Sequence, residues 1–112
     1  MKKSKSVFFL LALLVLSVLV SSNQLPAAPS RTADVTIDNF TFTPPTLTVK
    51  VGTQITWTNR DDIPHTVVSE DLSFRSKTLD TDQTFTFTPT KPGTYPYYCS
   101  IHPKMTGKVV VE

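Results

Sequence analysis

The stretches TLTVKVG, QITWTN and TFTFTP alternate polar and apolar residues, and turn-forming Gly, Asp or Pro lies at or close beyond each end. Successive side chains of an extended chain point to opposite faces, so this period of two describes strands with one apolar and one polar face. The same signal runs through most of the chain. ADVTIDNFTF alternates at Val35 and Ile37 and continues through Phe40 and Phe42 until Pro44 and Pro45 break it. Leu47, Val49 and Val51 share one face, then Ile55 and Trp57, then Phe85 and Phe87, then Tyr95, Tyr97 and Cys99. Pro96 lies inside the TYPYYC run, which predicts an edge, bulge or bend there. GKVVVE closes the chain as a strand from Lys108 to Val111. RDDIPH reads as a loop, HTVVS as the start of a further extended run, and SEDLSFRSKTLD as a long loop with little regular structure. No helical stripe of useful length and no internal repeat is present. Seven to eight short strands at this spacing predict an all-β sandwich or barrel.

The first thirty residues or so stand apart from that pattern. MKKSKS carries three lysines, VFFLLALLVLSVLV is fourteen residues without a charge, and SSNQLPAAPSR is small and polar. Basic, apolar and small-residue regions in this order predict a secretory signal peptide over residues 1–28, cut between residues 22 and 28. The apolar run falls short of the about 20 residues that span a bilayer. An uncleaved anchor is the alternative, and it would place the domain at the cell surface. The folded domain is expected over residues 34–112, exported to the periplasm, with no stable membrane insertion.

Charge follows the same division. The chain has 11 Lys+Arg and 9 Asp+Glu, a net charge of +2. Lys2, Lys3 and Lys5 leave with the leader, so eight basic groups face nine acidic ones in the domain. The basic excess is therefore a targeting feature. Scattered charges of mixed sign argue against nucleic acid as a partner.

Export implies an oxidising compartment, in which small domains often rely on disulfides. This chain has one cysteine, so no internal disulfide forms. The thiol stands in YYCSIHPKM, with His102 three residues on and Met105 three further. Singly, each has an ordinary reading: a core thiol, a surface histidine, a gap-filling methionine. Together they lie on one short loop between the Cys99 strand and the strand opened by Gly107, and steps of three residues in a tight loop turn side chains towards one point. The only other histidine is His65, in the loop after the Trp57 strand, which a sandwich can bring to the same end. Two imidazoles and a thiolate with a weak thioether make a type I copper site. Zinc takes the first three donors but seldom a thioether. A cysteine nucleophile with a histidine base would lack an orienting acid and an oxyanion hole. No Gly-rich phosphate loop exists, and Asp61 and Asp62 read as a solvated turn.

VKVGTQITWTNRDDIPHTV and GTYPYYCSIHPKMTGKVVVE resemble the cupredoxins, the type I blue copper family, most nearly its amicyanin branch and less nearly plastocyanin and pseudoazurin. The likeness covers nearly all of residues 34–112, and the short C-x-x-H-x-x-M loop carries it. It implies a Greek-key β-sandwich whose copper ligands match His65, Cys99, His102 and Met105. It further implies that Asn59 ties the histidine loop to the cysteine loop at Ser100, and that His102 is the exposed ligand and electron port. An apolar patch of Ile63, Pro64, Ile101, Pro103 and Met105 is expected around that port. Reduction is expected to favour protonation of His102 and release of its copper bond. Two positions depart from the amicyanin pattern. Ile101 stands where proline is favoured, and its N–H is expected to point at the Cys99 sulfur and raise the potential. Lys104 stands where an aromatic residue is favoured.

The reading is a monomeric exported carrier that cycles one copper between Cu(II) and Cu(I) and catalyses no substrate turnover. Its implied partners are transient redox proteins, a dehydrogenase donor and a c-type cytochrome acceptor. Copper binding for delivery or storage is the alternative, although two histidines and two methionines leave no surplus metal tract. A metal-free interaction module is a third reading, and it would leave Cys99 unexplained.

Overall fold

A computed structural model describes residues 31–112. The expected leader, residues 1–28, lies outside the described residues. Among the described residues eight strands form: β1 (Thr32–Asp38), β2 (Thr41–Thr43), β3 (Thr46–Val49), β4 (Gln54–Asn59), β5 (Val68–Ser69), β6 (Thr84–Phe87), β7 (Gly93–Tyr98) and β8 (Thr106–Val111). They make two four-stranded sheets, ordered β2-β1-β4-β6 and β3-β8-β7-β5. The β1–β4 and β3–β8 pairs are parallel and the rest antiparallel. The all-β sandwich predicted from alternation is therefore the fold. Among the described residues no helix is long and apolar enough to cross a membrane.

Alternation sorts the side chains as expected. Val35, Ile37, Phe42, Ile55 and Trp57 face inward from one sheet, and Val49, Tyr97, Val109 and Val111 from the other. Fully burying one such side chain contributes about 1.5–3 kcal/mol. Trp57 lies at the centre, 5.5 Å from Phe74, 5.6 Å from Phe85 and 5.6 Å from Tyr97 between ring centroids. On the outer face of the first sheet, threonines line up across strands: Thr43 opposite Thr36, Thr36 opposite Thr58, and Thr58 opposite Thr84. Such β-branched hydroxyl residues suit a pleated, solvated surface.

Three expectations change. Val35, Ile37, Phe40 and Phe42 do not belong to one run. The step of three from Ile37 to Phe40 breaks the period of two, and the chain turns at Asn39 and Phe40, both with positive φ, so that Ile37 pairs with Phe42. Val51 leaves the face of Leu47 and Val49, because β3 stops at Val49 and Val51 enters a turn ending on Gly52, φ 87°. The long loop after β5 is not loosely attached: Phe74 and Leu79 insert into the core, and Leu79 exchanges two backbone hydrogen bonds with His65. Pro96 sits where β5 has ended, its carbonyl accepting from Glu70 N–H, so its missing donor interrupts no ladder bond to β5.

β1 and β4 run parallel with Ile37 opposite Asn59. The β1–β2 turn and the loop after β4 therefore lie at one end of the sandwich. Cys99, immediately after β7, is brought to the same end.

Candidate metal centre

Each candidate donor is fixed by backbone pairing. His65 N–H donates to Leu79 O at 3.1 Å and Leu79 N–H returns a bond to His65 O at 2.7 Å. On the second loop, Cys99 N–H donates to Met105 O at 3.0 Å and Met105 N–H to His102 O at 2.8 Å. The loop from Cys99 to Met105 is thus a closed turn whose ends are tied together.

His65, Cys99 and His102 converge, with their donor atoms all within 4.8 Å of one another. Cys99 Sγ lies 3.8 Å from His65 Nδ1 and 3.7 Å from His102 Nδ1. Metal bonds of about 2.0–2.1 Å to nitrogen and 2.3 Å to sulfur put a sulfur and a nitrogen that share one ion roughly 3.5–3.8 Å apart. Both sulfur–nitrogen spacings fit donors that share one metal ion, and one thiolate with two imidazoles is a set that suits copper. His65 and Cys99 are fully buried, His102 is half-buried, and Met105 is 6 % exposed. Burial pushes the Cys99 thiol up. The Thr66 N–H, both imidazoles and the His102 backbone outweigh it and bring the thiol down to about 6, which favours the thiolate a metal requires.

The hydrogen bonds around the donors differ from expectation. Asn59 does not reach Ser100. It is buried at the end of β4 and braces its own loop, donating to Ile63 O at 2.9 Å and Leu79 O at 2.8 Å and accepting from Asp61 N–H at 2.9 Å. Thr66 joins the two loops instead. Its N–H reaches Cys99 Sγ at 3.3 Å, and its hydroxyl oxygen accepts from Ser100 N–H at 2.8 Å and lies 2.7 Å from Ser100 Oγ. Thr66 directly follows His65 as Ser100 directly follows Cys99, so the two meet wherever the ligands meet. That pairing of small hydroxyl residues beside both ligands is the signal sequence reasoning passed over. Among the described residues the backbone N–H that hydrogen-bonds the sulfur is that of Thr66, at 3.3 Å, and not that of Ile101. Met105 is also removed from the surface patch, because its two loop-closing bonds draw it inward.

Two residues not anticipated at the site complete it. Asp61 Oδ2 lies 2.9 Å from His65 Nε2 and accepts from Phe40 N–H at 3.0 Å. The hydrogen bond with the His65 side chain, then the Phe40 N–H, hold the Asp61 carboxyl below the usual carboxylate range. Asp61 is therefore a buried brace rather than a solvated turn residue. The Phe40 ring stands perpendicular to both imidazoles, 5.5 Å from His65 and 5.0 Å from His102.

The family model described as a cupredoxin-like domain matches residues 9–111. Amicyanin of Paracoccus denitrificans is 37 % identical over 99 residues, covering 80 % of this chain and 76 % of that protein. Amicyanin-alpha of Methylorubrum extorquens is 38 % identical over 92 residues, covering 76 % of each. Among solved structures, a purple cupredoxin from Nitrosopumilus maritimus superposes with a TM-score of 0.68 at 35 % identity, over 71 % of this chain and 99 % of that one. Sandwich, converging donors and matched sequence agree, and the chain belongs to the cupredoxin-like family.

Proposed function

We propose that this protein is a single-electron carrier holding one copper ion through His65, Cys99, His102 and Met105. The observation that carries the reading is the convergence of one sulfur and two imidazole Nδ1 atoms, the sulfur 3.7 and 3.8 Å from the nitrogens, in a largely buried, hydrogen-bonded pocket. Bound copper would supply a one-electron Cu(II)/Cu(I) couple. The chain supplies a fixed frame. Thr66 and Asp61 hold Cys99 and His65 from outside, and a ligand set that is already braced rearranges little when its charge changes. Met105, buried on the same closed loop, would supply the fourth donor, a weak thioether.

His102 is the donor nearest solvent and the proposed electron port. Exposed Pro64, Ile101 and Pro103, with half-buried Ile63, frame it. A small apolar frame supports brief contacts of limited area, as an electron carrier requires. Lys104 adds a cation at its rim. The partners proposed are a dehydrogenase donor and a c-type cytochrome acceptor, met by a monomer. With four donors from the chain, the centre has no position for a substrate, so a carrier fits better than an enzyme. The unit that does this is residues 34–112, exported to the periplasm after loss of residues 1–28, or held at the cell surface if the leader stays.

Titrating the purified protein with Cu(II) under visible absorption and EPR tests the centre. One equivalent should give an intense thiolate-to-copper band and a narrow copper hyperfine splitting, and Cys99→Ser should abolish both. A pale product, or oxidation of Cys99 without colour, would overturn the assignment.

A further inference from the structure

The two histidine rings are held unequally. His65 turns Nδ1 to the Cys99 sulfur, and its Nε2 is fixed on Asp61. Metal-binding histidines are usually oriented by such a bond at the second nitrogen. His102 turns Nδ1 to the same sulfur, but its Nε2 has no hydrogen-bond partner among the described residues. What packs on the His102 ring is aromatic: Phe40 at 5.0 Å and 90°, and His65 at 5.0 Å and 60°.

Phe40 reaches that place at a cost to the backbone. Asn39 and Phe40 are the two-residue connection of the β1–β2 hairpin, joining the paired residues Asp38 and Thr41. Their φ values are 50° and 55°, the left-handed pair of a type I′ turn. Asn suits the first position, and Gly is the usual second residue because a bulky side chain is disfavoured at positive φ. Phenylalanine here is 44 % exposed, so core packing does not account for it. The turn is also tied to the site, since Phe40 N–H donates to the same Asp61 oxygen that meets His65 Nε2. One carboxylate oxygen sets both the His65 ring and the turn that carries the Phe40 ring. A strained residue held in this way at a site suggests a role for its side chain.

We propose that Phe40 is a positioning residue whose ring holds the His102 imidazole with Nδ1 aimed at the Cys99 sulfur, in place of the hydrogen bond that orients His65. Its redox consequence rests on the copper reading above, whereas ring order is a property of the metal-free chain. The Phe40 ring limits rotation of His102 and so keeps the exposed donor as fixed as the buried one.

The experiment compares the full chain, metal-free, with its Phe40→Tyr, Phe40→Leu and Phe40→Gly variants by NMR relaxation at the His65 and His102 rings. Phe40→Gly supplies the residue the turn prefers, and Phe40→Leu keeps apolar bulk, so loss of fold does not confound the result. Wild type and Phe40→Tyr should show both rings ordered. Phe40→Leu and Phe40→Gly should lower the His102 ring order parameter into the flexible range, below about 0.6, while leaving His65 unchanged. Copper-loaded Leu and Gly variants should then show split or broadened EPR signals and electron self-exchange slowed about tenfold. A His102 ring as ordered in the Leu or Gly variant as in wild type overturns the proposal. A colourless wild type with copper would overturn the copper reading instead, and the metal-free comparison would still decide the role of Phe40.

Discussion

Thr66 shows how much depends on single atoms at this site. Its hydroxyl oxygen accepts from Ser100 N–H and its own N–H reaches the Cys99 sulfur, so one residue couples the two ligand loops. Valine has the same shape without the oxygen. Thr66→Val should leave the Ser100 amide unpaired and cost about 1–3 kcal/mol, measured as a shift in urea midpoint at constant slope. The Thr66 N–H stays, so the thiolate-to-copper band should survive with a shifted maximum. A bleached site would mean that the hydroxyl, and not the amide, sustains the sulfur. The meeting of Cys99 with His65 and His102 was legible because the spacing is unusual: a lone cysteine, with histidine and methionine at steps of three, is hard to account for except as a metal site. Thr66 and Asp61 were not legible, because threonine and aspartate are common in strands and turns. Which of them meets a ligand depends on how two distant loops face each other. Asn59 misled for the same reason, being near the right loop but pointed under it.

Elements were read well where alternation was clean and poorly where the chain turned. β4 buries the residues that its period predicts, and β7 buries Tyr97 and half-buries Tyr95. The β1–β2 hairpin was missed because its turn is Asn-Phe, without the glycine that normally marks a two-residue connection. The pairing of β7 with β8 places Gly107 directly opposite Tyr97. A Cβ on Gly107 would lie 2.5 Å from both Cζ and Oη of Tyr97, so the glycine is needed for contact and not for its backbone angles. Gly107→Ala should overpack the pair and cost about 1–3 kcal/mol. Tyr97→Phe alone should be nearly neutral, since the buried hydroxyl has no hydrogen-bond partner to lose. Combining the two should recover only a minor part of the Gly107→Ala loss, because Cζ remains in the way. A double-mutant cycle on thermal melting measures that coupling. Full recovery would place the clash on the hydroxyl alone.

At the scale of the whole molecule, a domain of about 80 residues without a disulfide gains from anything that binds only its folded form. Copper at a thousandfold excess over its dissociation constant should add about 4 kcal/mol, reduced by whatever affinity the unfolded thiol retains. The melting temperature should therefore rise with free copper, and Cys99→Ser should abolish the rise. Alkaline stability is set elsewhere in the same core. Burial raises the Tyr97 hydroxyl from 10.0 to about 12, and the nearby Trp57 indole, which makes no well-formed bond to it, offsets only part of this. The folded chain therefore keeps the Tyr97 proton at a pH where the unfolded chain has begun to release it. Below pH 10 both states hold the proton, and the stabilisation is fully present. As pH rises from about 10 to about 12 the unfolded state gains by ionising, and stability falls. A rise of that size in the hydroxyl pKa corresponds to about 2–3 kcal/mol across the window. Urea unfolding of the metal-free protein between pH 8 and pH 12 should show this fall, and Tyr97→Phe should remove it while leaving the stability near pH 8 little changed. An unchanged slope in Tyr97→Phe would assign the alkaline loss to the lysines or to the two other tyrosines, and would mean that the aromatic core admits water at the Tyr97 hydroxyl.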